Sequence, residues 1–168
     1  MNVVQLCGYK NSGKTTLIAA LLPLLKKRGL RIAVIKHDSH GFDIDHEGTD
    51  TFRFREAGAE GVAIASPGRT AIMKESEANL GELLACYDDF DLVLIEGYKR
   101  ERYPKLVLLR SAEDLTLLDE AVAIQAVIVR PDMLKEPSAL PGIRQRQTVP
   151  VLTWDDVSQI AAIIMNLC

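Results

Sequence analysis

Apolar and polar positions follow two rhythms along this chain of 168 residues. Val3 to Cys7 is a short apolar run, β-branched at its start, and predicts a buried strand. From Lys14 to Arg28 the apolar residues Leu17, Ile18, Leu21, Leu22, Leu24 and Leu25 recur at helical spacing. Pro23 lies inside that helix and is expected to bend it, because its ring removes a backbone donor. Gly29 is placed as the stop. Arg31 to His37, "RIAVIKH", predicts a second strand. Strand, helix and strand in such close succession form a βαβ unit, so the two strands are expected to be parallel.

Residues 38 to 52, "DSHGFDIDHEGTDTF", break the rhythm with a polar, acidic, glycine-punctuated stretch and predict a long loop. A short helix is expected near Thr51 to Ala57. "GVAIAS" (61–66) and "TAIMKE" (70–75) flank Pro67-Gly68-Arg69, a hairpin signal. Leu80 to Tyr87 reads as helical. "DLVLIEG" (91–97), "KLVLLR" (105–110) and "AIQAVIVR" (123–130) predict further strands, and Pro150 to Thr153 a last short one. Asp155 opens a helix whose Val157, Ile160, Ala161, Ile164 and Leu167 share one face. The chain shows no internal repeat and no low-complexity linker.

Length and composition suit one domain over residues 1–168, with 48% hydrophobic and 26% charged residues. The balance of 20 basic and 23 acidic residues leaves a formal charge of -3, against a general nucleic-acid binder. Cys7, Cys86 and Cys168 are widely spaced and form no CxxC pair, which argues against a disulfide framework or structural zinc and for a cytoplasmic setting. Asn2 and Gln5 interrupt the amino-terminal apolar run, unlike a signal peptide. No apolar stretch reaches the roughly 18 residues that suggest a membrane span.

The break between the first strand and first helix carries the sharpest chemistry. Gly8-Tyr9-Lys10-Asn11-Ser12-Gly13-Lys14-Thr15 matches G-x-x-x-x-G-K-[ST], with a strand before it and a helix after it. Glycine permits backbone angles that let successive amides turn inward as an anion nest, at a helix end that is already partly positive. Lys14 can reach the terminal phosphates and the Thr15 hydroxyl can ligate Mg²⁺. Gly8, Lys10, Asn11, Ser12, Gly13, Lys14, Thr15 and Thr16 are therefore the candidate phosphate-binding residues, with Lys10 equally readable as a solvated loop lysine.

Such a site needs a carboxylate beside Thr15. Glu96, at the end of an apolar strand, is the candidate metal ligand, although aspartate is usual there. Asp50 is a second candidate, so Thr15, Asp50 and Glu96 form the expected metal set, and Lys14, Asp50 and Glu96 the expected catalytic set. The loop after the second strand offers His37, Asp38, His40, Asp43, Asp45, His46 and Asp50. These fit a loop that orders around Mg-nucleotide, a transition-metal cluster, or a solvated acidic stretch.

"GYKNSGKTT", "VIKHDSHGFDID" with "EGTDT" and "FREAGAE" after it, and "DLVLIEGYK" resemble the molybdopterin-guanine dinucleotide biosynthesis protein B (MobB) family. The resemblance covers most of the first 110 residues and continues more weakly to the end. It implies an α/β, three-layer P-loop fold with a mostly parallel central sheet, an added β-hairpin, and a homodimer. It implies GTP binding, slow GTP hydrolysis and Mg²⁺, in an accessory role beside a MobA-like partner that attaches GMP to molybdopterin; molybdopterin or its guanine dinucleotide is then a further ligand. By position, His37, His40, Asp43, Asp45 and Asp50 belong to the signature loop, with His37 among the ligand-binding residues, and Glu96 and Gly97 close the site. Family members often carry lysine at position 49, where this chain has threonine. An N-K-x-D guanine-reading motif is missing. The nearest element is Val129-Arg130-Pro131-Asp132, with Asp132 as base reader or as a turn cap.

Lys99, Arg100, Arg102 and Lys105 cluster after Glu96, with Arg69 in the hairpin. They suit a pterin phosphate, a second nucleotide, an acidic partner face, or simple solvation. Arg53 and Arg55 are placed to pair with the carboxylates of the acidic loop. The hairpin is apolar enough to add a strand to a second subunit, and core packing explains the same residues. A small-molecule P-loop kinase is the competing activity; "SAEDLTLLDEAV" (111–122) lacks the arginines of a kinase lid, which leaves 99–105 as the alternative lid. A third class is a nucleotide-dependent scaffold that does not hydrolyse.

Overall fold

A computed structural model describes residues 1–38 and 41–168; Ser39 and His40, the latter one of the signature residues, lie outside the described residues. The described chain divides into two compact units, Met1–His37 with Tyr87–Cys168, and Asp38–Cys86.

The first unit is built on a parallel sheet. Its strands are β1 (Asn2–Cys7), β2 (Ile32–Lys36), β5 (Leu92–Glu96), β6 (Lys105–Leu109), β7 (Ile124–Val129) and β8 (Val151–Thr153), in the order β2-β5-β1-β6-β7-β8. Every residue of β5 and of β6 is buried, as continuous apolar runs require when both faces of a sheet are covered. The period of two then sorts the side chains. Leu106 and Leu108 face one cluster with Leu17, Ile18, Leu21 and Leu25 of α1 (Lys14–Lys26) and Ile160 and Ile164 of α6 (Val157–Asn166). Val107 and Leu109 face the other, with Leu117 and Leu118 of α4 (Leu117–Glu120) and Ile143 of α5 (Ala139–Arg146). Helix, sheet and helix form the three layers that the resemblance implies.

Strand order reverses at β1, which is flanked by β5 and β6, while β2 lies beyond β5. In open parallel sheets ligands bind at the carboxyl ends of the strands beside such a switch point. The chain leaves the carboxyl end of β1 directly into residues 8–13.

Several boundaries differ from the sequence reading. Helix α1 runs through Pro23 and ends at Lys26; Gly29, at φ 85°, donates to the Lys26 carbonyl and closes the last turn. Helix α6 starts one residue later than expected at its cap, because the Asp156 carboxylate accepts from the amide and hydroxyl of Thr153. Helix α5 is new. Its Pro141-Gly142 pair reads as a turn signal, yet Pro141 lies in the first helical turn, where no amide donor is needed. Gly142 is fixed by packing, since a Cβ there would sit 2.8 Å from Leu115. The segment after β6 forms a 3-10 turn (Ala112–Thr116) running into α4.

The second unit holds α2 (Asp50–Glu56), the antiparallel pair β3 (Gly61–Ser66) and β4 (Arg69–Lys74), and α3 (Leu80–Ala85). Arg69 is a strand residue opposite Ser66, so the turn is Pro67-Gly68 alone. Asn79 and Glu82 cap α3 reciprocally through each other's backbone amides. Arg55 ties the unit together: it bonds Glu75 at 2.7 Å and Asp43 at 3.1 Å, and lies 3.6 Å from Asp45. Asp45 also accepts from the hydroxyls of Thr49 and Thr51. Arg53 instead reaches Asp50, at 3.9 Å and in solvent. On the hairpin, Ile64 and Ile72 remain 54% and 67% exposed, so packing inside this unit does not account for them.

Candidate functional site: a phosphate-binding loop

The loop from Gly8 to Gly13 is shaped by contacts only small residues allow. A Cβ on Gly8 would lie 2.4 Å from the Ser12 hydroxyl and 2.9 Å from the Leu108 carbonyl. Asn11 and Gly13 take left-handed angles, φ 62° and 84°, and Ser12 is fully buried between them. Gly13 is the N-cap of α1. Among the described residues no side chain caps that end and no acid sits in the first turn, so its amides keep their capacity for an anion.

Lys14 folds over the loop. Its ammonium donates to the carbonyls of Gly8 (3.0 Å) and Tyr9 (2.9 Å) and to the Ser12 hydroxyl (3.3 Å). Partial burial pulls its pKa below the ordinary lysine value, and the Glu96 carboxylate opposes that shift. Thr15 donates to the Glu96 carboxylate, at 2.9 and 3.1 Å to its two oxygens. Glu96 ends β5 and is 8% exposed. A hydroxyl and a nearly buried carboxylate are the hard oxygen donors that suit Mg²⁺, so the residues present fit that ion. The peptide after Glu96 reverses through Gly97 (φ 101°), where a Cβ would meet that of His37 at 3.1 Å. The His37 ring rests on Tyr98, with centroids 4.5 Å apart.

Around the loop, Arg110 donates to the Lys10 carbonyl at 2.9 Å and is itself held by Asp114. Arg110 and Lys99 each stand 5.5 Å from the Tyr9 ring centroid. Cys7 donates its thiol to the Gly97 carbonyl, and burial pushes that thiol up to about 11.

The structure thus gathers Gly8, Lys10, Asn11, Ser12, Gly13, Lys14, Thr15 and Glu96 into one loop and its flank, with Thr16 exposed on α1. Asp50 belongs to the second unit, where its side chain is 87% exposed. Asp132 follows β7 and accepts from the Met133 amide at 3.1 Å, the capping role, while lying 3.4 Å from Arg130. Lys105 corrects the surface-cluster reading: it is fully buried, so it does not join Lys99, Arg100 and Arg102 in solvent. Among the described residues no three His, Cys, Asp or Glu side chains gather as a metal cage. No described helix is long and apolar enough to cross a membrane.

Trp154 joins the loop without any motif that marks it. Its ring packs on Gly13, whose added Cβ would be 3.1 Å from the indole, and Arg130 covers it at 5.4 Å. The one signal in the sequence is a lone tryptophan directly after the last strand.

Comparison with known proteins agrees with this geometry. Residues 3–130 match the model of molybdopterin guanine dinucleotide synthesis protein B. A molybdopterin-guanine dinucleotide biosynthesis adapter protein of Haemophilus influenzae is 42% identical over 126 residues, covering 71% of each chain. A probable adapter protein of the same description from Bacillus subtilis is 34% identical and covers 98% of this chain and 92% of its own. The crystal structure of Bacillus subtilis MobB superposes with a TM-score of 0.81 at 31% identity, over 99% of this chain and 98% of that one. Phosphate loop, switch-point sheet and relatives converge: this chain belongs to the molybdopterin guanine dinucleotide synthesis protein B family.

Proposed function

We propose that this chain is a GTP-binding adapter in the biosynthesis of molybdopterin guanine dinucleotide, a slow GTPase that assists the partner protein transferring GMP to molybdopterin. The observation that carries the nucleotide part is the closed loop at residues 8–13 with Lys14 over it and Thr15 on Glu96. The adapter part rests on the family and on the printed description of the relatives from Haemophilus influenzae and Bacillus subtilis.

In this reading the loop amides and the amino end of α1 bind the phosphate chain, and Lys14 exchanges its contacts with the Gly8 and Tyr9 carbonyls for phosphate oxygens. Thr15 and Glu96 hold Mg²⁺, which, when bound, neutralises charge on the phosphoryl oxygens. Glu96, a longer acid than the usual aspartate, also orients water. Asp132, whose Oδ1 caps the turn at Met133, offers its other oxygen to the donor edge of guanine, and Trp154 provides a flat apolar surface beside Gly13. The exposed Ile64 and Ile72 support association of two copies through the hairpin.

The test is phosphate release from GTP by the purified protein, alone and with the GMP-transferring partner and molybdopterin. The reading expects slow release alone and faster dinucleotide formation by the partner when this chain and GTP are present. Phosphoryl transfer to a small acceptor, or no effect on the partner, would overturn it.

A further inference from the structure

Lys105 is the largest fully buried side chain among the described residues. A buried ammonium is costly unless each of its donors finds an acceptor. Here each does. Its Nζ donates to Oε1 of Gln5 at 2.9 Å, to the carbonyl of Tyr103 at 3.0 Å and to the carbonyl of Glu101. Gln5, also fully buried, turns its amide nitrogen to the carbonyls of Tyr98 (2.9 Å) and Gly97 (3.3 Å). Two side chains from neighbouring strands, β1 and β6, therefore hold the backbone of residues 97–103 from below at Gly97, Tyr98, Glu101 and Tyr103.

An apolar residue at this one position would orphan the Gln5 amide oxygen and two carbonyls, whereas apolar residues at both Gln5 and Lys105 would fill the space without a buried charge, so the pair is better explained by the backbone it holds. The held segment begins directly behind Glu96. Its first residues, Gly97 and Tyr98, both have positive φ (101° and 50°), a conformation that Tyr98 adopts only at a cost in strain. Further along, Lys99 stands over the Tyr9 ring of the phosphate loop.

We propose that Gln5 and Lys105 are positioning residues for the metal side of the nucleotide site. By fixing residues 97–103 they keep the Glu96 carboxylate on the Thr15 hydroxyl and Lys99 over Tyr9. This inference rests on the Mg-nucleotide reading above and deepens it.

Trp154, the one tryptophan of the chain, touches Gly13 and reports on the loop through its fluorescence. The experiment titrates MgCl₂ against the intact wild-type chain and its Lys105→Met and Gln5→Met variants at saturating GTP, and GTP against the same proteins in EDTA. Gln5 and Lys105 act on Glu96 through the backbone behind it, so half-saturating Mg²⁺ should rise about tenfold in Lys105→Met and several-fold in Gln5→Met, the low end of the roughly ten- to hundredfold effect of groups bonded directly to a metal ligand. Affinity for GTP in EDTA should stay within about twofold, because the contacts of Lys14 with the Gly8 and Tyr9 carbonyls and the Ser12 hydroxyl do not involve residues 97–103. A merely structural role would shift both affinities together. Should Lys105→Met fail to fold, Gln5→Met, which leaves the lysine in place, decides the matter. Unchanged Mg²⁺ dependence in a folded variant overturns this inference alone. A wild-type chain that responds to neither GTP nor Mg²⁺ overturns the nucleotide reading and this inference with it.

Discussion

Lys14 concentrates much of the electrostatics of the loop in one atom. Its ammonium holds two backbone carbonyls and a hydroxyl while sitting close enough to Glu96 to feel the carboxylate. Charge-assisted hydrogen bonds contribute about 1.5–3 kcal/mol each, so Lys14→Ala should weaken Mg-GTP binding by at least about tenfold with the fold intact. Calorimetry reads the affinity and circular dichroism the fold; equal affinity in the variant would remove Lys14 from the site. Residue identities at the loop were legible because the motif constrains both type and spacing. Lys105 was not: a lysine in a run of basic residues reads as solvated, and only the sheet shows that its position alternates inward beside Gln5.

At the scale of elements, the buried strands were the easiest to read. β5, β6 and β7 are apolar runs without alternation, the pattern of a sheet covered on both faces. α5 was hidden because Pro141-Gly142 resembles a turn until the first helical turn is known to contain it. Trp154 was hidden for a different reason: its role depends on β8 lying beside β7, which sequence spacing does not encode. The caps are local and legible in principle. Asn79, three residues before Glu82, forms the reciprocal box on α3. Asn79→Ala should lower stability by about 1 kcal/mol, measured by urea denaturation. No change in the midpoint would show that this cap contributes nothing.

For the whole molecule, acid is the revealing variable. Asp43 (the Asp45 amide, then Arg55), Asp114 (Arg110) and Asp156 (the amide and hydroxyl of Thr153) are held below the usual carboxylate range by hydrogen bonds. Asp45 is pushed up by burial, but Thr49, His46 and Thr51 outweigh it and leave it low as well. Each folded carboxylate binds its proton more weakly than the unfolded one. Their contribution is therefore complete above about pH 4, the unfolded value, and is lost as pH falls through the depressed folded values. Stability against urea should be flat from neutrality to about pH 5 and fall steeply below about pH 4. A chain equally stable at pH 3 and pH 7 would show that these four carboxylates do not support the fold.

If residues 8–16 bind the phosphates of a guanine nucleotide, a calorimetric titration of the purified chain with Mg-GTP and, separately, Mg-ATP will show it. Saturable binding of GTP, about tenfold or more tighter than ATP, is the predicted result. Equal affinity for GTP and ATP would contradict the guanine preference, and no heat with either nucleotide at millimolar concentration would contradict phosphate binding altogether.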